Sequence, residues 1–206
     1  MPKQAPVRVA RNLLYHLADR VVVQTQHNKE YFSAALQKKS KIIYNPVDLQ
    51  EKRGLALHTG KKRRIVSAAR LMKQKNQLML LDAFAQIKKE FPEYTLTIYG
   101  EGPFRNELEE KIKELALDDS VQLPGQIQNI FECIADAELF VLSSDFEGMP
   151  NALIEAMCLG LPVISTKVSG ATDLIQDGQN GLLTAVADTQ QLALAMRRML
   201  SDCELR

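Results

Sequence analysis

The sequence predicts an α/β fold for residues 64–206, a Rossmann-like doubly wound sheet of parallel strands. Short apolar segments alternate there with longer segments whose apolar residues recur every three or four positions. The short segments lack a regular polar–apolar alternation, which is typical of parallel strands covered by helices on both faces. This βαβα order predicts right-handed crossovers and a ligand site beyond the carboxyl ends of the strands.

Six strands are predicted, at residues 64–69, 95–100, 121–125, 139–144, 162–166 and 181–184. Apolar periodicity predicts two long helices between them, at 78–91 and 104–115. Shorter helices are expected at 129–137, 150–159, 171–176 and 189–200.

Residues 1–63 do not follow this repeat. Their residue pattern predicts a helix ending near 17, a strand at 20–23, a helix at 27–36 and a strand at 41–43. Such a segment cannot bury a core of its own, so we interpret 1–63 as the remnant of a preceding domain and its linker. The basic run at 60–64 (GKKRR) suits either a solvated turn or a contact with anionic lipid head groups.

Composition narrows the function classes. The chain of 206 residues has a net charge of +1 and is 46% apolar, which is ordinary for a soluble globular protein and does not favour nucleic-acid binding. No apolar run approaches the roughly 18 residues of a membrane span, and the N-terminus does not resemble a secretory signal. The three cysteines (133, 158, 203) and three histidines (16, 27, 58) match no metal-ligand spacing, so we expect reduced thiols and no metal.

The segment 147–155, EGMPNALIE, is the most informative. Glu147 follows a predicted strand, and Pro150 suits the start of a helix. Free backbone amides at that start favour a phosphate, and Glu155 can accept two hydrogen bonds from a vicinal diol such as a ribose. These amides belong to Asn151, Ala152 and Leu153. The alternative is an ordinary helix start with a carboxylate in its first turn.

Two cations, Arg70 and Lys75, follow the first strand of the repeat, and we expect no acid near them. A guanidinium group donates bidentate hydrogen bonds to phosphate oxygens, and a lysine ammonium group adds a point charge, so this pair of residues suits a diphosphate. The alternative is that Arg70 and Lys75 are only solvated loop charges, an interpretation that also suits the neighbouring Lys73.

Glycines at predicted strand ends permit close backbone approach to a ligand. They are Gly100 and Gly102 in GEGP, and Gly170 in SGA. A planar base could lie against Ile127 and bond to the backbone around Gln126. No third glycine completes a dinucleotide fingerprint, which argues against a nicotinamide enzyme.

Together these residues resemble the C-terminal, donor-binding domain of retaining GT-B glycosyltransferases of family 4, the glycosyl transferases group 1. The resemblance rests on Glu147 and Glu155 within EGMPNALIEAMCLGLPVI, on Arg70-Leu71 with Lys75, on YGEGP, and on the segment from Ser169 to Leu183. Ala69 and Asp173 depart from the family pattern, where glycine and glutamate are commoner.

The resemblance implies that Arg70, Lys75 and Glu147 act in catalysis, the cations on the donor diphosphate and the glutamate on the sugar. Glu155 would hold the ribose, and the backbone around Gln126 and Ile127 the base. The remaining implied donor contacts are Gly100, Gly102, Met149, Asn151, Ala152, Leu153 and Gly170. No metal cofactor is implied.

The implied reaction moves a hexosyl group, with retention, from a nucleoside-diphosphate sugar such as UDP-hexose. The expected acceptor is a surface polysaccharide, a lipid-linked sugar or a lipopolysaccharide core, bound by a largely missing N-terminal domain. The chain alone should therefore be inactive, and the enzyme cytoplasmic, either free or peripheral on the inner face of the cell membrane. The alternatives are an epimerase or phosphorylase-like enzyme of the same fold, or a non-catalytic nucleotide-sugar-binding module.

Overall fold

The computed structural model describes residues 5–47 and 62–202. The chain divides into two compact units, Met1–Pro46 and Val47–Arg206. Residues 48–61, which include the boundary region before 64 and part of the basic run at 60–64, lie outside the described residues, as does Cys203.

The N-terminal unit is a small α/β fragment. Its elements are α1 (Ala5–Leu17), β1 (Val21–Val23), α2 (Gln26–Glu30), α3 (Ala34–Lys39) and β2 (Ser40–Ile42). The two strands pair in parallel, and the buried apolar cluster of the described part of this unit is small: Val21, Val23 and Leu36. The expectation that the segment buries no core is therefore wrong for this small cluster. The single helix predicted at 27–36 is wrong: Ser33 adopts an extended ψ of 154° and starts a second helix, as serine commonly does.

The larger unit carries the predicted repeat. Its strands are β3 (Arg64–Ala68), β4 (Thr95–Tyr99), β5 (Val121–Gly125), β6 (Leu139–Leu142), β7 (Val163–Thr166) and β8 (Leu182–Thr184). Its helices are α4 (Gln77–Lys88), α5 (Arg105–Glu114), α6 (Ile130–Ile134), α7 (Asn151–Cys158), α8 (Ser169–Leu174) and α9 (Thr189–Ser201).

These six strands form one parallel sheet in the order β5-β4-β3-β6-β7-β8, which confirms the predicted fold class. The chain builds outward from β3 to β5, then returns and builds outward from β6 to β8. β3 and β6 are therefore neighbours at the point where the strand order reverses, and the loops that follow them meet there.

A hydrophobic core covers each face of the sheet. Ile65 packs with α4, α5 and α9 on one face, and the next residue, Val66, packs with α6, α7 and α8 on the other. Both side chains are fully buried. Burial on both faces explains why β3 shows no polar–apolar alternation.

A partly buried ionic cluster ties the start of β3 to the end of α6. Asp136 pairs with Arg64 and, at 2.8 Å, with Nζ of Lys62. Arg64 also donates to the Tyr99 hydroxyl at 2.7 Å and to the Cys133 carbonyl at 2.6 Å. Burial alone would raise the pKa of Asp136, but the hydrogen bonds from Lys62 and Arg64 outweigh it and lower that pKa.

We expect Asp136→Asn to lower the free energy of unfolding at pH 7 by about 2 kcal/mol, because a half-buried guanidinium loses its counter-charge. A depressed folded-state pKa stabilises the protein above the unfolded pKa, about 3.9, and this stabilisation disappears as pH falls through the folded-state value. Urea unfolding should therefore show a difference from the original protein at pH 7 that shrinks by pH 3. A difference independent of pH would contradict the assignment, and Asp118→Asn, at an exposed carboxylate, is the control.

Candidate functional site

Two loops at the reversal point form the candidate site: the β3 loop, residues 69–76, and the β6 loop, residues 143–150. A 3-10 turn, Lys73–Lys75, shapes the first of them. Hydrogen bonds join the loops at Asp145 N to Gln74 O (2.8 Å), Gln74 Nε2 to Phe146 O (2.7 Å), Ser143 Oγ to Lys75 O (2.9 Å) and Asn76 Nδ2 to Asp145 Oδ1 (2.7 Å).

Lys75 and Glu147 form an ion pair across this junction. Their side chains are only 18% and 10% exposed, so water screens the pair weakly. Ser144 Oγ donates to the same Glu147 oxygen at 2.8 Å. The expectation that no acid lies near the two cations is thus wrong for Lys75, because sheet topology brings together residues 72 positions apart.

The β6 loop is also tied to β7 and α8. The buried Thr166 hydroxyl donates to the Ser144 carbonyl at 2.6 Å, and Ser169 Oγ donates to the Glu147 carbonyl at 2.5 Å. The backbone that carries Glu147 is therefore fixed from both sides, and sequence patterns gave no signal for these serine and threonine roles.

Arg70 contrasts with Lys75. Its guanidinium is exposed and has no hydrogen-bond or ion-pair partner among the residues that the structure describes. Its carbonyl is anchored by Gln77 Nε2 at 3.0 Å. The β3 and β6 loops carry three cations and two carboxylates, a net charge of +1 at the carboxyl end of the sheet, which favours an anion there; these residues are Arg70, Lys73, Lys75, Asp145 and Glu147.

Gly100 and Gly102 lie against the β3 loop rather than beside open space. A Cβ atom at Gly100 would lie 2.0 Å from the Ala69 carbonyl oxygen, and one at Gly102 would lie 2.1 Å from that of Leu71. Leu71 N donates to Glu101 O at 2.9 Å in the same contact. These glycines therefore place the backbone that carries Arg70, while their predicted contact with a donor stays a prediction.

Gly170 plays a similar part beneath the β6 loop. A Cβ atom there would lie 2.2 Å from the Gly148 carbonyl oxygen and 2.8 Å from Cα of Met149. Met149 is buried. Close packing of α8 against these residues holds the turn that leads from Glu147 into α7.

Helix α7 begins one residue after Pro150. The Leu153 amide donates to the Pro150 carbonyl at 3.1 Å, and the Leu153 side chain lies in the core. The expectation of a free Leu153 amide is therefore wrong, because the first turn of the helix uses it. Asn151 is exposed, and Glu155, one turn along α7, is half-buried.

The predicted base contacts lie where β5 ends. Gly125 has a left-handed φ of 93° and accepts a hydrogen bond from Gly100 N at 2.8 Å, which brings this loop beside the GEGP turn. Gln126 is exposed, and Ile127 is half-buried against the core on the α6 and α7 face. Their contact with a base stays a prediction.

No cluster of three potential metal-binding side chains occurs among residues 5–47 and 62–202. Within the same ranges, no helix has the length and apolar character that crossing a bilayer requires.

The family model of the glycosyl transferases group 1 matches residues 48–206, which include every residue of the site described above. The chain belongs to this family. Its sheet and flanking helices are those of the GT-B glycosyltransferases among its structural neighbours.

Named relatives show how far the similarity reaches. An N-acetylgalactosamine-N,N'-diacetylbacillosaminyl-diphospho-undecaprenol 4-alpha-N-acetylgalactosaminyltransferase of Campylobacter jejuni is 36% identical over 95% of this chain. The amylovoran biosynthesis glycosyltransferase AmsD of Erwinia amylovora is 29% identical over 98%. The crystal structure of Anabaena Alr3699/HepE in complex with UDP-glucose superposes over 99% of the chain, with a TM-score of 0.83 and 28% identity.

The chain spans 54%, 58% and 60% of the lengths of these three proteins. All three are similar to it over nearly its whole length, and the two relatives named for their activity are glycosyltransferases. These matches favour a glycosyltransferase over the epimerase, the phosphorylase-like enzyme and the non-catalytic binding module.

Proposed function

We propose that residues 64–206 hold the donor site of a glycosyltransferase that moves a hexosyl group, with retention, from UDP-hexose, as in family 4. The observation that carries this proposal is the junction of the β3 and β6 loops. Lys75 of the β3 loop forms a partly buried ion pair there with Glu147 of the β6 loop, whereas Arg70, also on the β3 loop, is exposed and has no partner among the described residues. The complex of Alr3699/HepE with UDP-glucose supports the choice of nucleotide.

The proposed chemistry is electrostatic. Departure of UDP leaves negative charge on its diphosphate, and fixed cations stabilise such charge best where water is excluded. Arg70 would bind the phosphate oxygens bidentately, while Lys75 exchanges part of its contact with Glu147 for the diphosphate. Glu147, released from that pair, would accept hydrogen bonds from sugar hydroxyls.

Other residues would fix the nucleoside. Glu155 would accept both ribose hydroxyls, and the backbone of Gln126 with the side chain of Ile127 would hold the base. Asn151 and Ala152 would present amides to the phosphate. These assignments need no metal ion, because protein cations and helix amides supply the positive charge.

We further propose a glycan or lipid-linked acceptor, such as a surface polysaccharide or lipopolysaccharide core. The relatives named for diphospho-undecaprenol and amylovoran support this acceptor class. Acceptor contacts would come mainly from outside residues 64–206, with 1–63 belonging to a preceding domain, so the chain alone would bind donor without turnover. We propose a cytoplasmic enzyme that works at the inner membrane face.

We expect UDP at about 100 times its Kd to stabilise the protein by about 2.7 kcal/mol, a rise in Tm of several degrees. Glu155→Ala and Lys75→Ala should each remove most of that rise, because each deletes a proposed contact with ribose or diphosphate. The exposed Glu107→Ala is the matched control. No shift with millimolar UDP, GDP or ADP in thermal unfolding would overturn the proposal.

A further inference from the structure

Asn76 lies at the centre of the junction between the two loops. It has a left-handed backbone, φ 47° and ψ 43°, between the 3-10 turn and α4. Glycine fits that conformation without strain, whereas asparagine also tolerates it and adds a side-chain amide. Asn76 Nδ2 uses that amide to donate to Asp145 Oδ1 at 2.7 Å.

This bond lies next to both members of the Lys75–Glu147 pair. Asn76 directly follows Lys75, and Asp145 precedes Glu147 by two residues. Backbone contacts, Asp145 N to Gln74 O at 2.8 Å and Ser143 Oγ to Lys75 O at 2.9 Å, already hold the loops together. The Asn76–Asp145 bond adds a side-chain contact between the loops and holds the turn from which the Lys75 side chain projects.

The two carboxylates of the β6 loop, Asp145 and Glu147, have different partners because of this bond. Asp145 and Glu147 are two residues apart on the β6 loop, and Lys75 pairs with Glu147. Asp145 Oδ1 accepts from Asn76, whereas the Glu147 carboxylate contacts the Lys75 ammonium group and accepts from Ser144.

We propose that Asn76 and Asp145 are positioning residues that aim Lys75 at the diphosphate site. This inference rests on the proposed donor-binding function. Neither residue needs to touch the donor. Their effect acts through the ammonium group of Lys75 and so concerns the phosphates rather than the nucleoside.

Asn76→Gly tests the inference, since glycine keeps the left-handed backbone and removes only the amide. Binding of UDP and of uridine to the full chain would be measured by calorimetry and competition. We expect the Kd for UDP to rise roughly tenfold and that for uridine to stay unchanged. The reciprocal exchange Asn76→Asp with Asp145→Asn keeps a donor and an acceptor, and should restore UDP affinity. Asn106→Ala, on the exposed face of α5, is the control.

The outcomes separate the two proposals. Equal losses for UDP and uridine, or no loss for either, would overturn the positioning role and leave donor binding intact. Failure of the reciprocal exchange to restore the UDP-to-uridine affinity ratio would also overturn it. An original protein that binds UDP no better than uridine would instead overturn the proposed function.

Discussion

Gly100→Ala is expected to lower the free energy of unfolding by about 4 kcal/mol, one of the largest losses that a single methyl group can cause. The new Cβ atom would lie 2.0 Å from the Ala69 carbonyl oxygen, a backbone atom that cannot move without displacing the start of the β3 loop. The left-handed φ of 137° at Gly100 adds strain of its own. Urea unfolding at neutral pH measures the combined loss of stability from the steric clash and the backbone strain.

Gly178→Ala separates the two causes. Gly178 also has a left-handed φ, 76°, but apart from Gly178 and its two chain neighbours no atom of the described residues lies within 4 Å of the position its Cβ would take. This variant should lose only about 1 kcal/mol, the cost of a left-handed alanine. If the two variants were equally destabilised, the proposed packing of the GEGP turn against the β3 loop would be wrong.

The glycines show where sequence reasoning stopped. The GEGP pattern at a strand end predicted close approach of the backbone to a ligand, which stays a prediction, whereas the structure has protein backbone close to these glycines. Sequence alone could not tell that the approaching group is the carbonyl of Ala69 or Leu71, because β3 and β4 are neighbours only once the sheet has formed.

The Lys75–Glu147 ion pair was also only partly predictable from the sequence. Local spacing placed Lys75 and Glu147 after two different strands, and the fold class placed both at the carboxyl edge. Their direct pairing depends on β3 and β6 being adjacent, a long-range fact that no local pattern encodes. The prediction from local helix-start chemistry was less accurate at α7. The Leu153 amide, predicted to be free, donates to the Pro150 carbonyl within the first turn.

Lys75→Met should have the second large effect, on stability and on binding together. It removes one proposed phosphate contact and leaves Glu147, only 10% exposed, without its counter-charge. Breaking a mostly buried pair by removing one partner costs about 3 kcal/mol of folding stability. The unpaired carboxylate would also repel a diphosphate, so UDP affinity should fall by about 100-fold or more.

Lys73→Met is the matched control, because Lys73 lies in the same 3-10 turn but is exposed. The double variant Lys75→Met with Glu147→Gln distinguishes the two losses. Removing both charges leaves no buried unpaired ion, so stability should recover by more than half, whereas UDP affinity should stay low because the cation is still missing. Calorimetry with UDP and urea unfolding give the two readouts. If UDP affinity recovered together with stability, the buried carboxylate alone would explain the loss, and Lys75 would have no direct part in holding the diphosphate.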